Sequence, residues 1–536
     1  MPWSADVVIV GSGVAGSLVA ARLAKAGVRV VILEAGPRVQ RNAALAVFRD
    51  AVIKTPESPY PDLPYAPHPR VEDPNHYYLQ NGPDLFGGTY LRQVGGTTWH
   101  WLGIALRFVP DDFRLRTKFG VGVDWPISYD DLEPWYCEAE RELGVAGDNN
   151  AELQTPRSQP YPLPPIPLSY SDQRIAHALA GTPHTVQPTP QARNSRAFDN
   201  RPACCGAGNC IPICPVQAKY DATSHVAKAE QAGAQLVPDA VASHVEIGAD
   251  GRVAWIAIKR PDGTEDRAVG KVYVIAAHAI ETPKLLLQSR SDRAPAGVAN
   301  SSDQVGRNLM DHPSWLTYGL AGEPLGPLRG PISTGGIEWT RAGDWRAEYG
   351  AFRIHLDNRG WNWPTGAPES TARDFIQHGL RGAALDRAIA DHCARQFNIA
   401  PMVEQLPHPE NRIVPDFDQR DTIGIPRPRI TYRIDDYARR ALERGRRVAH
   451  EIAAGLKATE VHDGAEIQSS GHVIGTCRMG SHPRDSVVDA DQRAHDHLNL
   501  FLLGSSVFPT EAASNPTLTI AALALRAVES IRRTIA

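Results

Sequence analysis

The sequence predicts an α/β protein in two parts: a parallel sheet wound with helices and assembled from separated stretches of chain, and a second domain on a large, mostly antiparallel sheet covered by helices. Two observations predict it. The chain opens on a strand, glycine turn, helix and second strand between Ala5 and Pro37, and buried-type strands recur much later, at Lys271 to Ala277 and Leu500 to Leu503. From Trp315 to Glu466 the chain instead becomes strand-rich and more polar, with antiparallel-type turns.

Asp6 to Val10 is a short apolar run suited to a strand buried on both faces. Gly11-Ser12-Gly13-Val14-Ala15-Gly16 follows, then a helical pattern with Leu18, Val19 and Leu23 on one side. Gly27 ends that helix, and Val28 to Leu33 forms the next strand, closing at Glu34. This is the Rossmann-like fingerprint. Gly11 permits the tight turn, Gly13 admits a pyrophosphate to the backbone N–H groups, and Gly16 lets helix and strand pack closely. The helix N-terminus attracts phosphate, and Glu34, roughly 20 residues after the glycines, is placed to bind a ribose hydroxyl. The motif predicts a dinucleotide without separating FAD from NAD; the acid disfavours the 2′-phosphate of NADP.

Phe48 to Asn81 is rich in proline and tyrosine (Pro59-Tyr60-Pro61, Pro64-Tyr65-Ala66-Pro67) and reads as irregular structure over the surface or a site. Gly95-Gly96-Thr97-Thr98-Trp99-His100-Trp101 sets small residues beside two indoles and an imidazole, and permits close backbone approach to a ligand. Tyr129 to Leu143 has helical spacing with Ser128 as cap and Asp131 three positions on. Gln154 to Pro190 reads as an extended, proline-rich excursion. Ser224 to Ala232 is helical, Ala234 to Val237 and Val241 to Ile247 are strands, and Asp250-Gly251 marks a hairpin. A helix follows from Ile280 to Leu287, and a long one from Thr517, with Pro516 at its first position and Asn515 as cap.

Length and composition fit this plan. A chain of 536 residues supports two or more domains. A formal charge of -4 and a pI near 6.6 give no basic excess for nucleic acid or anionic lipid. No apolar stretch approaches the ~20 residues of a membrane span, and the N-terminus reads as having no leader peptide. By itself the chain reads as cytosolic unless a partner carries it elsewhere. Of seven cysteines, Cys204, Cys205, Cys210 and Cys214 cluster in a loop with Gly206, Gly208 and Pro212. An odd total with one tight cluster points to a cofactor site over a disulfide framework. Cys137, Cys393 and Cys477 are expected as buried small hydrophobes. Short spacing on a glycine-rich loop, with Pro215 after the last cysteine, suits thiolates wrapped around iron and sulfide; zinc and disulfides are the alternatives. Adjacent side chains diverge, so Cys204 and Cys205 cannot easily serve one cuboidal cluster. That leaves three effective ligands.

With these motifs, the chain resembles the glucose-methanol-choline (GMC) oxidoreductases. The resemblance rests on the opening glycines, Val274 to Leu287, Val305-Gly306-Arg307-Asn308-Leu309-Met310-Asp311-His312-Pro313, and the pair His472-Val473-Ile474-Gly475-Thr476-Cys477 and Ser514-Asn515-Pro516-Thr517. It covers nearly the full length. Gly95 to Trp101, Gly120 to Glu133, Cys204 to Pro215 and Asp421 to Asp436 make it closest to the catalytic subunit of bacterial membrane-bound sugar dehydrogenases, of the FAD-dependent glucose dehydrogenase and gluconate 2-dehydrogenase type.

The resemblance implies FAD, with His472 and Asn515 facing the flavin: an imidazole to take the hydroxyl proton and an amide to hold the substrate oxygen. Ala35, Gly95, Gly96, Thr97, Val241, Ala277, Ser505 and Thr517 are expected along the cofactor site with the glycine motif and Glu34. His100 is either covalently bound to the flavin or a histidine packed between Trp99 and Trp101. The resemblance also implies a 3Fe-4S cluster on Cys204, Cys210 and Cys214, with Cys205 spare. It implies a small signal-bearing subunit and a multihaem cytochrome c subunit, hence periplasmic, membrane-associated placement. No C-x-x-C-H haem motif occurs in this chain. The expected FAD-binding domain comprises 1–47, 82–110, 200–312 and 470–536, with the cluster loop at 203–216. The substrate domain comprises 48–81, 111–199 and 313–469. The expected reaction takes hydride from a sugar or polyol hydroxyl, glucose-like and yielding a lactone; gluconate, another polyol or the 3-position of a glycoside is the alternative. Rival readings are an oxygen-using GMC oxidase, an NAD-linked dehydrogenase and a non-catalytic electron-transfer subunit. The His495-Asp496-His497 grouping reads as structural.

Overall fold

The computed structural model describes residues 3–52, 58–63, 65–66, 77–327, 329–358 and 368–536. Pro64 and Pro67 of the proline-rich stretch lie outside them. The described residues form a five-stranded sheet whose order is Leu500–Leu502, Val272–Ile275, Val7–Val10, Val30–Leu33, Gln235–Val237. Every pairing in it is parallel. Its three middle strands are buried at each position, which accounts for their valine, isoleucine and leucine content, with Tyr273 the one exception. Strands from the start, middle and end of the sequence therefore share one sheet. Helix Val14–Lys25 packs against Thr517–Ile535 and Thr223–Gln231, so both ends of the polypeptide meet in one layer.

The second large sheet has eight strands among the described residues, and each of its pairings is antiparallel. Its centre pairs Phe352–Asp357 with Gln396–Val403, setting Asp357 opposite Asn398 and His355 opposite Ala400. Helix Asp436–Gly455 covers it, burying Tyr437, Ala438, Ala441, Leu442, Gly445, Val448, Ala449 and Ile452 at helical spacing. Helices Pro368–Gln377, Gly382–Arg395 and Asp436–Gly455 lie among the strands between Trp315 and Glu466, in keeping with an antiparallel sheet covered by helices.

Local signals place most elements. Ser128 caps Tyr129–Leu143 by accepting from the Asp131 N–H, and the Asp131 carboxylate accepts from the Ser128 N–H at 2.8 Å. The supposed excursion from Gln154 contains a helix, Tyr170–Ala178, started by Ser169, whose hydroxyl accepts from the Asp172 N–H at 3.1 Å. A good cap and two following turns suffice there despite the flanking prolines. The last helix starts at Thr517 with Pro516 as its cap residue, and the Asn515 side chain makes no capping bond.

Buried ion pairs join the layers. Arg346 lies between Asp112 at 2.8 Å and Glu404 at 2.7 Å, and all three side chains are almost wholly buried. Arg341 donates to the Ser514 hydroxyl at 2.7 Å, immediately before Asn515. Such pairs contribute little net stability, but each partner becomes costly once its counter-charge is removed.

Candidate active site

The glycine turn behaves as its spacing implies. Gly11 has φ 97, and a Cβ there would stand 2.4 Å from the Ala276 carbonyl oxygen. A Cβ on Gly16 would stand 2.0 Å from the Gly11 carbonyl oxygen, so Gly16 seats the helix on the turn. A Cβ on Gly13 would meet no protein atom within 4 Å: that glycine faces open space at the helix N-terminus. Glu34 is buried at the end of its strand. It accepts from the Ser12 N–H at 3.0 Å, the Ser12 hydroxyl at 2.6 Å and the Gly36 N–H at 3.0 Å. Ser12 accepts in turn from the Gly95 N–H at 3.0 Å. The acid expected on a ribose therefore also ties together the two glycine segments.

A cavity of about 820 Å3 runs from this turn to the sheet-domain wall. It is lined by Gly11, Gly13, Glu34, Ala35, Gly96, Thr97, His100, Val241, Ala277, Ser505 and Thr517, and at its far end by His472 and Asn515. Of the expected cofactor residues, Gly16 and Gly95 stand behind the wall and shape it. The open space over Gly13 at the start of the following helix, and a cavity of this volume lined by both glycine segments, fit a dinucleotide. His100 lies on the wall with its ring 6.0 Å from that of Tyr60. The flanking indoles are held elsewhere, Trp99 donating to the Val94 carbonyl at 2.9 Å and Trp101 to the Tyr220 carbonyl at 2.7 Å.

His472 and Asn515 meet at 3.3 Å, Asn515 Nδ2 against His472 Nε2. Asn515 is free for this because it does not cap its helix. His472 Nδ1 lies 3.0 Å from His312 Nδ1, and the two rings are nearly perpendicular. The Asp311 carboxylate accepts from the His472 N–H at 2.9 Å and from the Ser469 hydroxyl, fixing the backbone at His472. Burial, with added repulsion from His312, Arg353 and His355, holds the His472 imidazole well below its usual 6.5, so it is neutral at neutral pH. Burial likewise pushes Asp311 up to about 6 and His312 down to about 4. Neither Asp311, His312 nor Ser469 was assigned a role from the sequence. The signal was present in Asp311-His312-Pro313, but its partners lie some 160 positions away.

The cysteine loop behaves differently. Cys210 and Cys214 are buried, Cys204 half-buried and Cys205 exposed. Cys137 and Cys477 are buried as expected, whereas Cys393 is only half-buried. Lys219, beneath the loop, donates to the Trp99 carbonyl at 2.8 Å. Cys210 and Cys214 stand near enough to Cys204 to add to the effect of burial in pushing its thiol up. Among the described residues no three His, Cys, Asp or Glu side chains are grouped to hold a single metal ion. His495, Asp496 and His497 are structural anchors, bonding to Ser486, Ser301 and the Gly251 carbonyl respectively.

A Rossmann-type cleft whose far wall carries a neutral imidazole beside an amide defines a dinucleotide-dependent oxidoreductase. Residues 180–314 and 407–524 match the models of the GMC oxidoreductase family, and 9–56 match an NAD(P)-binding Rossmann-like domain. The chain is 40% identical, over 98% of both proteins, to the fructose dehydrogenase large subunit of Gluconobacter japonicus. It is 29% identical to the 2-methyl-1,2-propanediol dehydrogenase of Mycolicibacterium austroafricanum, over 98% of this chain and 95% of that one. The crystal structure of pyridoxine 4-oxidase from Mesorbium loti superposes with a TM-score of 0.63 at 19% identity, covering 99% of each chain. The chain belongs to the GMC oxidoreductase family, and so is an FAD-dependent oxidoreductase acting on CH–OH groups. Among the described residues no helix is long and apolar enough to cross a membrane.

Proposed function

We propose that this protein is a dehydrogenase for a hydroxyl of a free sugar or polyol, with His472 as the base and Asn515 as the holder of the substrate oxygen. The observation that carries this is the 3.3 Å contact between Asn515 and a neutral His472 at the end of the dinucleotide cavity. Gly11, Gly13, Glu34, Gly96 and Thr97 would hold FAD, which when bound supplies the hydride acceptor. His472 Nε2 takes the hydroxyl proton as the carbon loses hydride, and the Asn515 amide steadies the charge developing on oxygen. The sheet-domain wall favours a polyhydroxylated substrate. Ser314, His355, Asp357, Asn398 and Gln468 face the same cavity and offer donors and acceptors at several heights. The relative named as a fructose dehydrogenase makes D-fructose the first sugar to test, ahead of glucose, gluconate, other polyols and glycosides.

Cofactor and substrate domains are assigned as the sequence divides them, with the parallel-sheet strands on one side and residues 313–469 on the other. A cluster of the 3Fe-4S type on Cys204, Cys210 and Cys214 is supported by spacing alone. Assembly with partner subunits is supported by the relative being a large subunit; transfer to a cytochrome c subunit and periplasmic placement rest on the family resemblance. An iron and acid-labile sulfide assay on the purified protein decides the cluster; stoichiometric zinc or no metal removes it.

The central test is anaerobic mixing of FAD-loaded protein with each sugar, following flavin absorbance. D-fructose or another sugar bleaches the parent protein, and His472→Ala retains FAD yet fails to bleach. Near-normal reduction by His472→Ala, or no bleaching of the parent by any sugar or polyol, refutes the reading.

A further inference from the structure

Assigning the proton to His472 Nε2 requires that this nitrogen be bare in the resting enzyme, and nothing within His472 itself ensures it. A neutral imidazole carries one N–H, on either nitrogen, and the tautomer is set by what the other nitrogen bonds. The surroundings fix the choice here by a chain of two contacts.

His312 Nε2 lies 2.8 Å from the carbonyl oxygen of Ala512. A carbonyl only accepts, so the proton of His312 is on Nε2 and its Nδ1 is a lone pair. That lone pair stands 3.0 Å from His472 Nδ1. Two lone pairs do not face each other at that distance, so the proton between them belongs to His472 Nδ1, and His472 Nε2 is bare. Asn515 agrees independently: its Nδ2, a donor, faces His472 Nε2. Burial keeps His312 neutral at physiological pH, which preserves its acceptor nitrogen. The anchoring carbonyl is itself held in an unusual position: Ala512 is fully buried with φ 60, in the left-handed region. An L-residue rarely adopts that conformation, and such strain persists where surrounding structure demands it.

We propose that His312 is a positioning residue that holds His472 in its Nδ1–H tautomer, so that the nitrogen facing the cavity is unprotonated in the resting enzyme. This deepens the reading of His472 as base and rests on it. When His472 accepts the substrate proton at Nε2 it keeps Nδ1–H, and His312 Nδ1 continues to accept from the resulting imidazolium. No proton need leave His312 during the reaction. The other charged or titratable groups around the pair are Asp311, bonded to the His472 backbone, Arg353 and His355, which oppose a second positive charge, and Glu511, next to the anchoring Ala512.

The primary test is nitrogen NMR on full-length protein labelled with 15N-histidine, the His472 signals being assigned by their loss in His472→Gln. The expected result is an N–H at Nδ1 and a bare Nε2 at neutral pH; a protonated Nε2 in the resting protein overturns the inference. The second test is anaerobic flavin reduction by D-fructose in FAD-loaded variants. His312→Leu removes the acceptor, and the reduction rate constant should fall about 10²-fold or more, within the range a wrong or absent base produces, with FAD content unchanged. His312→Gln can present an oxygen to His472 and an N–H to Ala512, and should recover most of that loss. A Leu variant as fast as the parent, or a Gln variant as slow as Leu, overturns the role of His312. If D-fructose and every other sugar fail to reduce the parent while the NMR finds the Nδ1–H form, the substrate reading falls and the tautomer stands.

Discussion

Gly13 and Gly16 belong to one motif, yet the structure gives them separable roles that two alanine substitutions can pull apart. In Gly16→Ala the new methyl would stand 2.0 Å from the Gly11 carbonyl oxygen and 3.2 Å from the Ile9 side chain. Ordinary carbon contacts lie at about 3.5–4.0 Å, so the helix or the turn must move by roughly 1.5 Å. Overpacking of this kind costs about 1–3 kcal/mol, and it falls on the protein before any ligand binds. In Gly13→Ala the methyl meets no protein atom within 4 Å, and Gly13 has φ -66, which alanine adopts freely. The protein itself should lose only about 0.5 kcal/mol, the small cap preference for Gly over Ala. The methyl does enter the space predicted for the pyrophosphate. Loss of one or two good phosphate contacts, about 1.4–2.8 kcal/mol, weakens FAD by roughly 10- to 100-fold. Thermal unfolding of flavin-free protein and fluorescence titration with FAD measure the two terms. Gly16→Ala should lower the flavin-free midpoint by several degrees, and Gly13→Ala should leave it nearly unchanged while weakening FAD. A Gly13→Ala protein with unaltered FAD affinity, or two variants with the same flavin-free midpoint, would show that the cleft does not hold the dinucleotide as argued.

Two further predictions concern charge. Arg346→Leu leaves Asp112 and Glu404 buried without their shared cation, and should cost about 3–5 kcal/mol in urea unfolding; a change below about 1 kcal/mol would mean that the surrounding layers reorganise freely. Burial works against ionisation of Glu281, but Arg92 at 2.7 Å and Lys284 at 2.9 Å outweigh it and hold the carboxyl at about 2 against an ordinary 4.5. Because the folded value is depressed, the contribution, on the order of 3 kcal/mol, is complete above pH 4.5 and is lost as pH falls from there towards 2. Stability of the parent relative to Glu281→Gln should therefore shrink across that window, and parallel pH profiles would refute the assignment.

What the sequence made legible was whatever acts over a few residues. The opening motif needs only one glycine to turn, one to leave space and one to seat a helix, and Gly11, Gly13 and Gly16 do those three things. The Ser128 and Asp131 cap is likewise a four-residue event, and its helix ends at Leu143 as expected. Helix Asp436–Gly455 carried an equally local signal, with Tyr437, Ala438, Ala441, Leu442, Val448 and Ile452 on one face. Its many arginines leave that apolar face narrow within a polar stretch. The cysteine loop is legible only in part: spacing tells which thiols can reach a common point, and an iron and sulfide assay tells what they hold.

Asn515 and His312 mark the boundary of local reasoning. By sequence Asn515 is a helix cap, a common use of asparagine before Pro-Thr, and the folded protein leaves that role to Pro516. The difference arises because a histidine 43 positions earlier offers its side chain a partner within a buried cavity, where an amide gains more than at a helix end. His312 sits in a visible Asp311-His312-Pro313 run, but that run does not say what the imidazole bonds: its meaning lies in an acceptor 200 positions ahead and a donor 160 ahead. Residues that choose between the two nitrogens of an imidazole act through single hydrogen bonds across the tertiary fold. No pattern of neighbours along the chain encodes such a choice, so for this site the proposed base was legible through the family resemblance and its proposed positioning residue was not.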